Sequence, residues 1–347
     1  MLSAPADRPQ AAATERYTGG SAVRVPILTV SDLSVAYASR RGDVCAVENV
    51  SFELAAGEFL GIVGESGCGK STLLFAVAQL LVPPARITGG SVAFKGTDLI
   101  TLSERDLAPL RWKEISVVMQ SAMNALNPVK TIGAQFADAM RAHGVTARQE
   151  IADRSAEVLA MVGIDREHLR SYPHQLSGGM RQRSMIAMAL LFTPDLVIMD
   201  EPTSALDVVA QRSLMVQIKE LQQQLGFAII FVTHDMSLVS HFSDRLMVMY
   251  AGQVAELGAT RVVFDAPQHP YSAGLLDAFP SIRGPKVALT GIPGSPPDLA
   301  HPPDGCRFAP RCPQVQDQCR QRPVELYNVD DVQVRCLLRG NGVVQGD

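Results

Sequence analysis

The segment Gly64–Thr72 constrains what this chain can fold into more than any other part of the sequence. It reads GESGCGKST, follows the apolar run Phe59–Val63 and precedes the helical pattern Leu73–Leu81. A glycine-rich loop between a strand and a helix is the context that a phosphate-binding loop requires. The N–H groups of the loop and the positive end of the helix dipole both attract an anion. The sequence therefore predicts an α/β fold with a nucleotide phosphate site.

Each residue type in this loop has its own chemistry. The glycines let consecutive backbone N–H groups curl around the β- and γ-phosphates of a nucleotide. Lys70 adds a positive charge, and the Ser71 hydroxyl can ligate Mg²⁺. The nucleotide-contacting residues that the motif predicts are Gly64, Gly67, Gly69, Lys70, Ser71 and Thr72.

A second apolar run, Leu196–Met199, ends in two carboxylates, Asp200 and Glu201. Open α/β sheets bind their ligands at the carboxyl ends of the strands. We expect Asp200 to hold Mg²⁺ through a water molecule and Glu201 to polarise the water that attacks the γ-phosphate. Behind a phosphate loop, this pair predicts a hydrolytic site.

A third element lies between these two and reads Leu-Ser-Gly-Gly. Ser177, Gly178 and Gly179 open the apolar-periodic stretch that includes Arg183–Leu191. A hydroxyl and bare backbone amides at the start of a helix can bind a second anion.

Together these elements resemble the ATP-binding cassette, the motor subunit of ABC transporters, and the resemblance covers nearly the whole chain. Tyr37 occupies the position of the aromatic residue that stacks on adenine. Gln120 matches the glutamine that touches Mg²⁺ and the attacking water, and His234 matches the histidine that contacts the γ-phosphate. Ser204–Asp207 matches the D-loop, so the resemblance assigns Asp207 to the nucleotide site.

The sequence departs from the usual cassette pattern at two places. Met180 ends the signature where most members carry glutamine, and Ser121-Ala122 follows Gln120 where Asp-Pro is usual. Neither change removes a phosphate or metal ligand. The variant LSGGMRQR is associated with the oligopeptide, dipeptide and nickel importer subfamily.

Composition divides the chain into regions. Residues 266–347 hold 12 of the 22 prolines, which predicts a loop-rich extension without long helices or central strands. Residues 1–25 are expected to form a flexible tail, and residues 26–265 the nucleotide-binding domain. The resemblance implies that this domain has a RecA-like parallel sheet core, an antiparallel β subdomain and a helical subdomain at about residues 121–190.

Four of the six cysteines lie in the extension, at Cys306, Cys312, Cys319 and Cys336. The gaps between them are five, six and sixteen residues, so the paired knuckles of structural zinc sites are absent. The resemblance to peptide-importer ATPases implies that these thiols ligate a 4Fe-4S cluster. Zinc and unligated or oxidised thiols stay open as alternatives.

The resemblance implies an ATP-hydrolysing subunit that powers uptake of di- or oligopeptides from the cytoplasmic face of the inner membrane. In that family Glu201, His234 and Gln120 would be catalytic, with ATP and Mg²⁺ bound. The implied partners are two transmembrane permease subunits, a second homologous ABC ATPase and, indirectly, an extracytoplasmic solute-binding protein.

Two alternatives remain open. The transported solute can be nickel or another small molecule, because the permease and the binding protein choose it. A non-transport ABC ATPase that acts on DNA or ribosomes usually fuses two cassettes or inserts a coiled coil, and the 55 residues of the arm at 121–175 leave no room for one. The net charge of −4 also argues against nucleic acid as the main partner.

Overall fold

The computed structural model describes residues 25–40, 42–120, 125–204, 206–278 and 291–340. The tail predicted at residues 1–25 falls outside the described residues except for its last member. Ser121, Ala122 and Ala205 also lie outside them.

The strands are β1 (Pro26–Ser39), β2 (Gly42–Ala55), β3 (Phe59–Val63), β4 (Ala85–Phe94), β5 (Thr97–Asp98), β6 (Ile115–Val118), β7 (Leu196–Asp200), β8 (Ala228–Val232), β9 (Arg245–Tyr250), β10 (Gln253–Ala259), β11 (Tyr327–Val329) and β12 (Val332–Val334). The helices are α1 (Lys70–Val77), α2 (Glu104–Leu107), α3 (Ile132–Ala142), α4 (Arg148–Met161), α5 (Gly178–Ala189), α6 (Val208–Leu225), α7 (Met236–Phe242), α8 (Thr260–Asp265), α9 (Pro270–Asp277), α10 (Gln318–Gln321) and α11 (Leu337–Gly340). Four short 3₁₀ helices lie at Leu99–Thr101, Arg166–Arg170, Pro173–Gln175 and Ala309–Arg311.

The described strands form two sheets. One has four strands in the order β2-β1-β4-β5, all antiparallel, which corresponds to the antiparallel β subdomain that the resemblance implies. The other has eight strands in the order β11-β12-β10-β9-β3-β8-β7-β6. Its strands from β9 to β6 are parallel, and β10, β12 and β11 are antiparallel to their neighbours.

The parallel core has the composition that burial on both faces requires. Every residue of β3, β7 and β8 is buried, and only Asp200 among them is charged. Continuous apolar runs are typical of strands that are covered on both faces, and the predicted α/β class is confirmed.

Helix α1 ends sooner than its apolar pattern predicts. The pattern extends to Leu81, whereas the helix ends at Val77. Gln79 has a φ of 53°, in the left-handed region that a helix cannot continue through. Apolar periodicity alone does not report this local change of backbone direction.

Helices α3, α4 and α5 lie between Gln120 and β7, and α3 and α4 fall within the arm predicted at residues 121–175. Thr131 begins α3 by accepting a hydrogen bond from the N–H of Ala134. Phe136 of α3 and Val158 of α4 belong to the same apolar cluster as Phe231 of β8. These helices therefore pack on the core of the cassette through a shared apolar cluster.

The described part of the extension continues the cassette sheet at its edge. Strand β12 pairs with β10, where Glu256 faces Val334 and Leu257 faces Gln333. Both added strands have three residues, and proline-rich loops surround them. The described helices of the extension are short, as predicted, but β12 pairs with a strand on each side, so only β11 of these two is an edge strand. No helix of the described residues is long and apolar enough to cross a membrane.

Candidate nucleotide site

One cleft brings together most of the residues that the sequence predicts for nucleotide binding. It opens where β3 passes through the glycine-rich loop into α1. The predicted residues that line it are Tyr37, Gly64, Gly67, Gly69, Lys70, Ser71, Thr72, Gln120, Glu201 and His234. The glycine-rich loop, Glu201 directly after β7 and His234 just after β8 thus meet at one cleft.

The glycine-rich loop depends on glycine at Gly69, the residue before α1. Its φ is 102°, which residues with a side chain rarely adopt, and a Cβ there would collide with the carbonyl oxygen of Ala46. Lys70 is buried, and its Nζ donates to the carbonyl oxygens of Gly64 at 2.8 Å and Glu65 at 2.9 Å. The ammonium group of Lys70 therefore lies against the glycine-rich loop, at the place where a phosphate group is expected to bind.

Asp200 has the environment of a metal ligand. Its Oδ1 atom is buried and has no hydrogen-bond partner among the described residues. Burial raises the pKa of Asp200, and the neighbouring Ser71 hydroxyl opposes that shift by hydrogen bonding to the carboxylate. A buried carboxylate oxygen without a partner is costly unless something binds it. The oxygen donors of Asp200 and Ser71 fit Mg²⁺, which prefers such ligands.

Glu201 contacts both of the other residues that the sequence predicts as catalytic. Its Oε2 accepts a hydrogen bond from Gln120 Nε2 at 2.7 Å, and its Oε1 lies 3.3 Å from His234 Nδ1. The φ of Glu201 is 45°, a sparsely populated value for a glutamate, and such values cluster at functional sites. Its N–H donates to the carbonyl oxygen of Val232, which fixes the residue against β8. The carboxylate can therefore orient a water molecule between Gln120 and His234.

Tyr37 borders the cleft from the antiparallel sheet. Its hydroxyl lies 3.1 Å from the hydroxyl of Thr72 at the start of α1. This contact holds the tyrosine ring beside the glycine-rich loop, where an adenine ring could stack on it.

The signature residues are not part of this cleft. Ser177 begins α5 and accepts a hydrogen bond from the N–H of Met180 at 3.2 Å, as expected of a helix cap. A Cβ at Gly179 would meet no atom within 4 Å, so its backbone is open to approach. Asp207 begins α6 in the same way, by accepting from the N–H of Ala210 at 2.9 Å. Neither Ser177, Gly178, Gly179 nor Asp207 lines the cleft of its own chain.

The sequence did not predict that the extension reaches this site. Leu299 lines the cleft, and Arg311 makes an ion pair with Glu65 of the glycine-rich loop. These residues are distant in sequence from the loop, and no local pattern identifies them.

Comparison with known proteins supports the motifs. Residues 47–204 match the family model for the ABC transporter, and residues 255–319 match the model for the oligopeptide/dipeptide transporter C-terminal region. The chain is 45% identical over 299 residues to the oligopeptide transport ATP-binding protein OppD of Salmonella typhimurium, covering 86% of this chain and 89% of that protein. It is 42% identical over 329 residues to the dipeptide transport ATP-binding protein DppD of Bacillus subtilis, covering 92% and 98%.

The chain belongs to the ABC transporter ATP-binding proteins. Among solved structures, the dimeric post-hydrolysis state of the ATP-binding cassette MJ0796 bound to ADP and Pi is similar, with a TM-score of 0.61 and 29% identity. That match covers 67% of this ABC ATPase and 99% of the solved chain. The fold and the family both identify an ATP-hydrolysing transporter subunit, and the predictions of fold class, family and enzyme type are confirmed.

The structure of this ABC ATPase also brings the four cysteines of the extension together. They line one small cavity and none of them is in a disulfide: Cys306, Cys312, Cys319 and Cys336. Burial raises the pKa of Cys306 to about 11 and raises the pKa values of Cys312 and Cys336 in the same direction. Within the described ranges, no three cysteine, histidine or acidic side chains are arranged to hold a metal ion.

Proposed function

We propose that this chain hydrolyses ATP to drive the import of di- or oligopeptides through a membrane permease. The observation that carries the proposal is the contact of Gln120 and His234 with Glu201 at the phosphate loop. The relatives at 45% and 42% identity are named as oligopeptide and dipeptide transport proteins, which supports peptides as the solute. Nickel or another small solute is the alternative.

In the proposed mechanism, Glu201 is the general base for the attacking water. Its carboxylate accepts from Gln120 and contacts His234, so the water can be held between three fixed groups. His234 would also contact the γ-phosphate. Since Glu201 acts on the water, its loss should stop hydrolysis and leave ATP binding intact.

Binding of the nucleotide would use a different set of residues. Lys70 would exchange the carbonyl oxygens of Gly64 and Glu65 for phosphate oxygens. Asp200, Ser71 and Gln120 would hold Mg²⁺, which neutralises charge on the β- and γ-phosphates when it is bound. Tyr37 would stack on adenine, and Gly64, Gly67, Gly69 and Thr72 would complete the contacts to the nucleotide.

We further propose that a second cassette completes each site. A partner's phosphate loop would use Ser177, Gly178, Gly179 and Asp207, because these residues do not line the cleft of their own chain. Val208 and Val209, next to Asp207, are 78% and 80% exposed, which supplies an apolar contact surface beside the D-loop. By resemblance, the partner in the native complex is a different, homologous ABC ATPase.

The remaining proposals concern the wider assembly. The chain would bind two permease subunits at the cytoplasmic face of the membrane as a peripheral subunit. The helical arm at residues 121–175 would make that contact, and a solute-binding protein would act on the other side. Residues 26–265 and 266–347 would correspond to the cassette and the extension, after a tail at 1–25.

We also propose that the four cysteines ligate a 4Fe-4S cluster. The donor set of four thiols around one cavity, all free of disulfides, is the set that such clusters use. The four sulfurs would bind four different iron atoms, so they need not converge on the centre that a single zinc ion requires. When it is bound, the cluster would cross-link a segment that has little apolar core of its own.

Reconstitution in proteoliposomes tests the peptide proposal. The complete complex, with permease, second ATPase and an added solute-binding protein, should hydrolyse ATP faster when a dipeptide or an oligopeptide is present. The same complex carrying Glu201→Gln serves as the control that removes hydrolysis. Stimulation by Ni²⁺ but by no peptide would contradict the proposed solute and leave the ATPase assignment intact.

A further inference from the structure

The extension contacts the phosphate loop through a partly buried ion pair, in which Arg311 is the buried member. Arg311 Nη1 donates to Glu65 Oε2 at 2.8 Å, and Nη2 donates to Glu65 Oε1 at 2.9 Å. Such a two-bond fork fixes both the distance and the orientation of the carboxylate. Arg311 is 8% exposed and precedes Cys312, whereas Glu65 is the second residue of the glycine-rich loop. The pair therefore joins two segments that are 246 residues apart.

All the donor groups of Arg311 are used. Its Nε donates to the carbonyl oxygen of Pro293 at 2.8 Å, and Nη2 also donates to that of Ile292 at 3.3 Å. Nη1 also donates to the hydroxyl of Tyr250 at 3.3 Å, and the guanidinium lies over that ring. A buried arginine with every N–H satisfied has one preferred position, so it can hold Glu65 in one place.

The main chain of Glu65 is fixed as well. Its N–H donates to the hydroxyl of Tyr271 at 2.9 Å, and its carbonyl oxygen accepts from Lys70 Nζ at 2.9 Å. Tyr271 is fully buried, and its ring packs against Tyr250 and Phe308 with centroids 4.5 Å and 5.4 Å away. The same residue of the loop is thus held on its side chain, its N–H and its carbonyl oxygen.

We infer that Arg311 and Tyr271 of the extension are positioning residues for ATP binding, which they support through Glu65. The first reason is shape, because the two contacts fix the loop whose N–H groups must face the phosphates. The second reason is charge. Glu65 belongs to the phosphate loop, so its carboxylate, if left unpaired, would repel phosphates bound by that loop, and Arg311 neutralises it. The inference rests on the ATP site and does not depend on the transported solute or on the ligand of the cysteines.

Binding of a non-hydrolysable ATP analogue with Mg²⁺ to the purified full chain tests this inference. Arg311→Gln should raise the Kd of the analogue about tenfold, within the usual range of coupling between two sites. Tyr271→Phe keeps the ring and removes only the hydroxyl, so a rise of about threefold is expected. The matched control is Arg335→Gln. Arg335 is another partly buried arginine of the extension, and it donates to the carbonyl oxygens of Val254 and Val324, away from the loop.

A purely structural role of the ion pair would lower the Tm of Arg311→Gln and leave its Kd for the analogue unchanged. The positioning role predicts a raised Kd for Arg311→Gln and a Kd within about twofold of wild type for Arg335→Gln. It also predicts that Glu65→Gln, added to Arg311→Gln, restores most of the affinity, because the unpaired carboxylate is gone. If Arg311→Gln does not fold, Tyr271→Phe decides by the same comparison.

Three results would overturn the inference: a wild-type Kd in a folded Arg311→Gln or Tyr271→Phe chain, equal losses in Arg311→Gln and Arg335→Gln, or no recovery in the double variant. Failure of the wild-type chain to bind the analogue is a different result. It would contradict the ATP site itself, and the inference would fall with it.

Discussion

The cassette and the extension are held together by different forces. In the cassette, apolar strands and helices bury one another in two large clusters, and β3, β7 and β8 have no exposed residue. The described part of the extension has one small cluster of its own, made of Ala309, Cys319, Val324 and Leu337. Such a small cluster cannot offset the conformational entropy of ordering the 63 described residues of the extension, each of which costs about 1–2 kcal/mol for its backbone. The comparison teaches that the extension takes its order from the surface it packs on.

Buried charges mark the places where the two regions meet. Arg307 donates to the carbonyl oxygen of Ala251 and pairs with Glu48 of the cassette. Glu256 is fully buried and accepts the N–H groups of Gln268 and His269. Buried ionic groups are costly unless every partner is present, so they favour one docked arrangement more than they add stability. Arg311 and Glu65 are the members of this set that lie at the nucleotide site.

The largest expected effect concerns chemistry in the cassette alone. Glu201→Gln should reduce the ATPase rate of the complete complex by about a thousandfold, the typical contribution of a general base. Binding of ATP should stay within a few fold of wild type, and trapped ATP should accumulate in a closed pair of cassettes. Measurement of turnover and of bound nucleotide on the same samples checks both statements. Near-wild-type turnover would assign the base to another residue.

The second prediction concerns the 4Fe-4S cluster that we propose to cross-link the extension. Protein purified without oxygen should be brown and carry about four irons with acid-labile sulfide per chain. Cys312→Ser should bleach it and make the extension sensitive to proteolysis, while the cassette stays resistant. Cys45→Ser is the matched control, because Cys45 lies in β2, outside the cysteine cavity. Stoichiometric zinc without iron would contradict the cluster.

The third prediction compares the two apolar cores directly. Ile230→Ala in β8 should lower the free energy of unfolding of the cassette by about 2–5 kcal/mol, the usual cost of such a cavity. Val324→Ala in the extension should cost only about 1–2 kcal/mol, since it removes two methyl groups. In Val324→Ala, amide protection from hydrogen exchange should fall in the extension, while β8 should stay protected. Equal losses of protection in both regions by Val324→Ala would mean that they unfold as one unit.

The smallest effect is expected at the interface between the two regions. Glu256→Gln keeps the shape of the side chain but replaces one of the two accepting oxygens by an NH2 donor, so one N–H group loses its acceptor, at a cost of about 1–2 kcal/mol. Burial raises the pKa of Glu256, which shows that its buried charge is costly. The neutral glutamine removes that charge and so offsets part of the lost hydrogen bonding. The expected result is a small drop of Tm that is confined to the extension, as measured by calorimetry. A large drop in the cassette transition would show that Glu256 supports the parallel sheet.

These comparisons also explain which parts of the molecule the sequence predicts. The phosphate loop and the strand that ends in Asp200 and Glu201 are contiguous segments, and their residue types follow from phosphate and metal chemistry. The parallel strands β3, β7 and β8 are predicted by continuous apolar runs in the sequence. The family resemblance assigns Gln120 and Glu201 to the same attacking water, and the structure adds a direct contact between these two residues, which are 81 positions apart.

Other features depend on tertiary contacts that leave no local pattern. Arg311 looks like an ordinary charged residue in a proline-rich loop, and only the folded chain brings it to Glu65. Leu299 reaches the nucleotide cleft for the same reason. The early end of α1 depends on the backbone of Gln79, which apolar spacing does not report. Sequence reasoning therefore finds the chemistry of the site and misses the supports that come from the extension.

The most direct test of the account measures ATPase activity of this chain against its concentration, alone and with the permease and the second ATPase. Slow hydrolysis by the isolated chain is expected, because a phosphate loop without the signature motif of a partner cassette is incomplete. A large increase is expected when the permease and the second ATPase are added. Rapid hydrolysis that does not depend on concentration, by the isolated chain, would contradict the shared site.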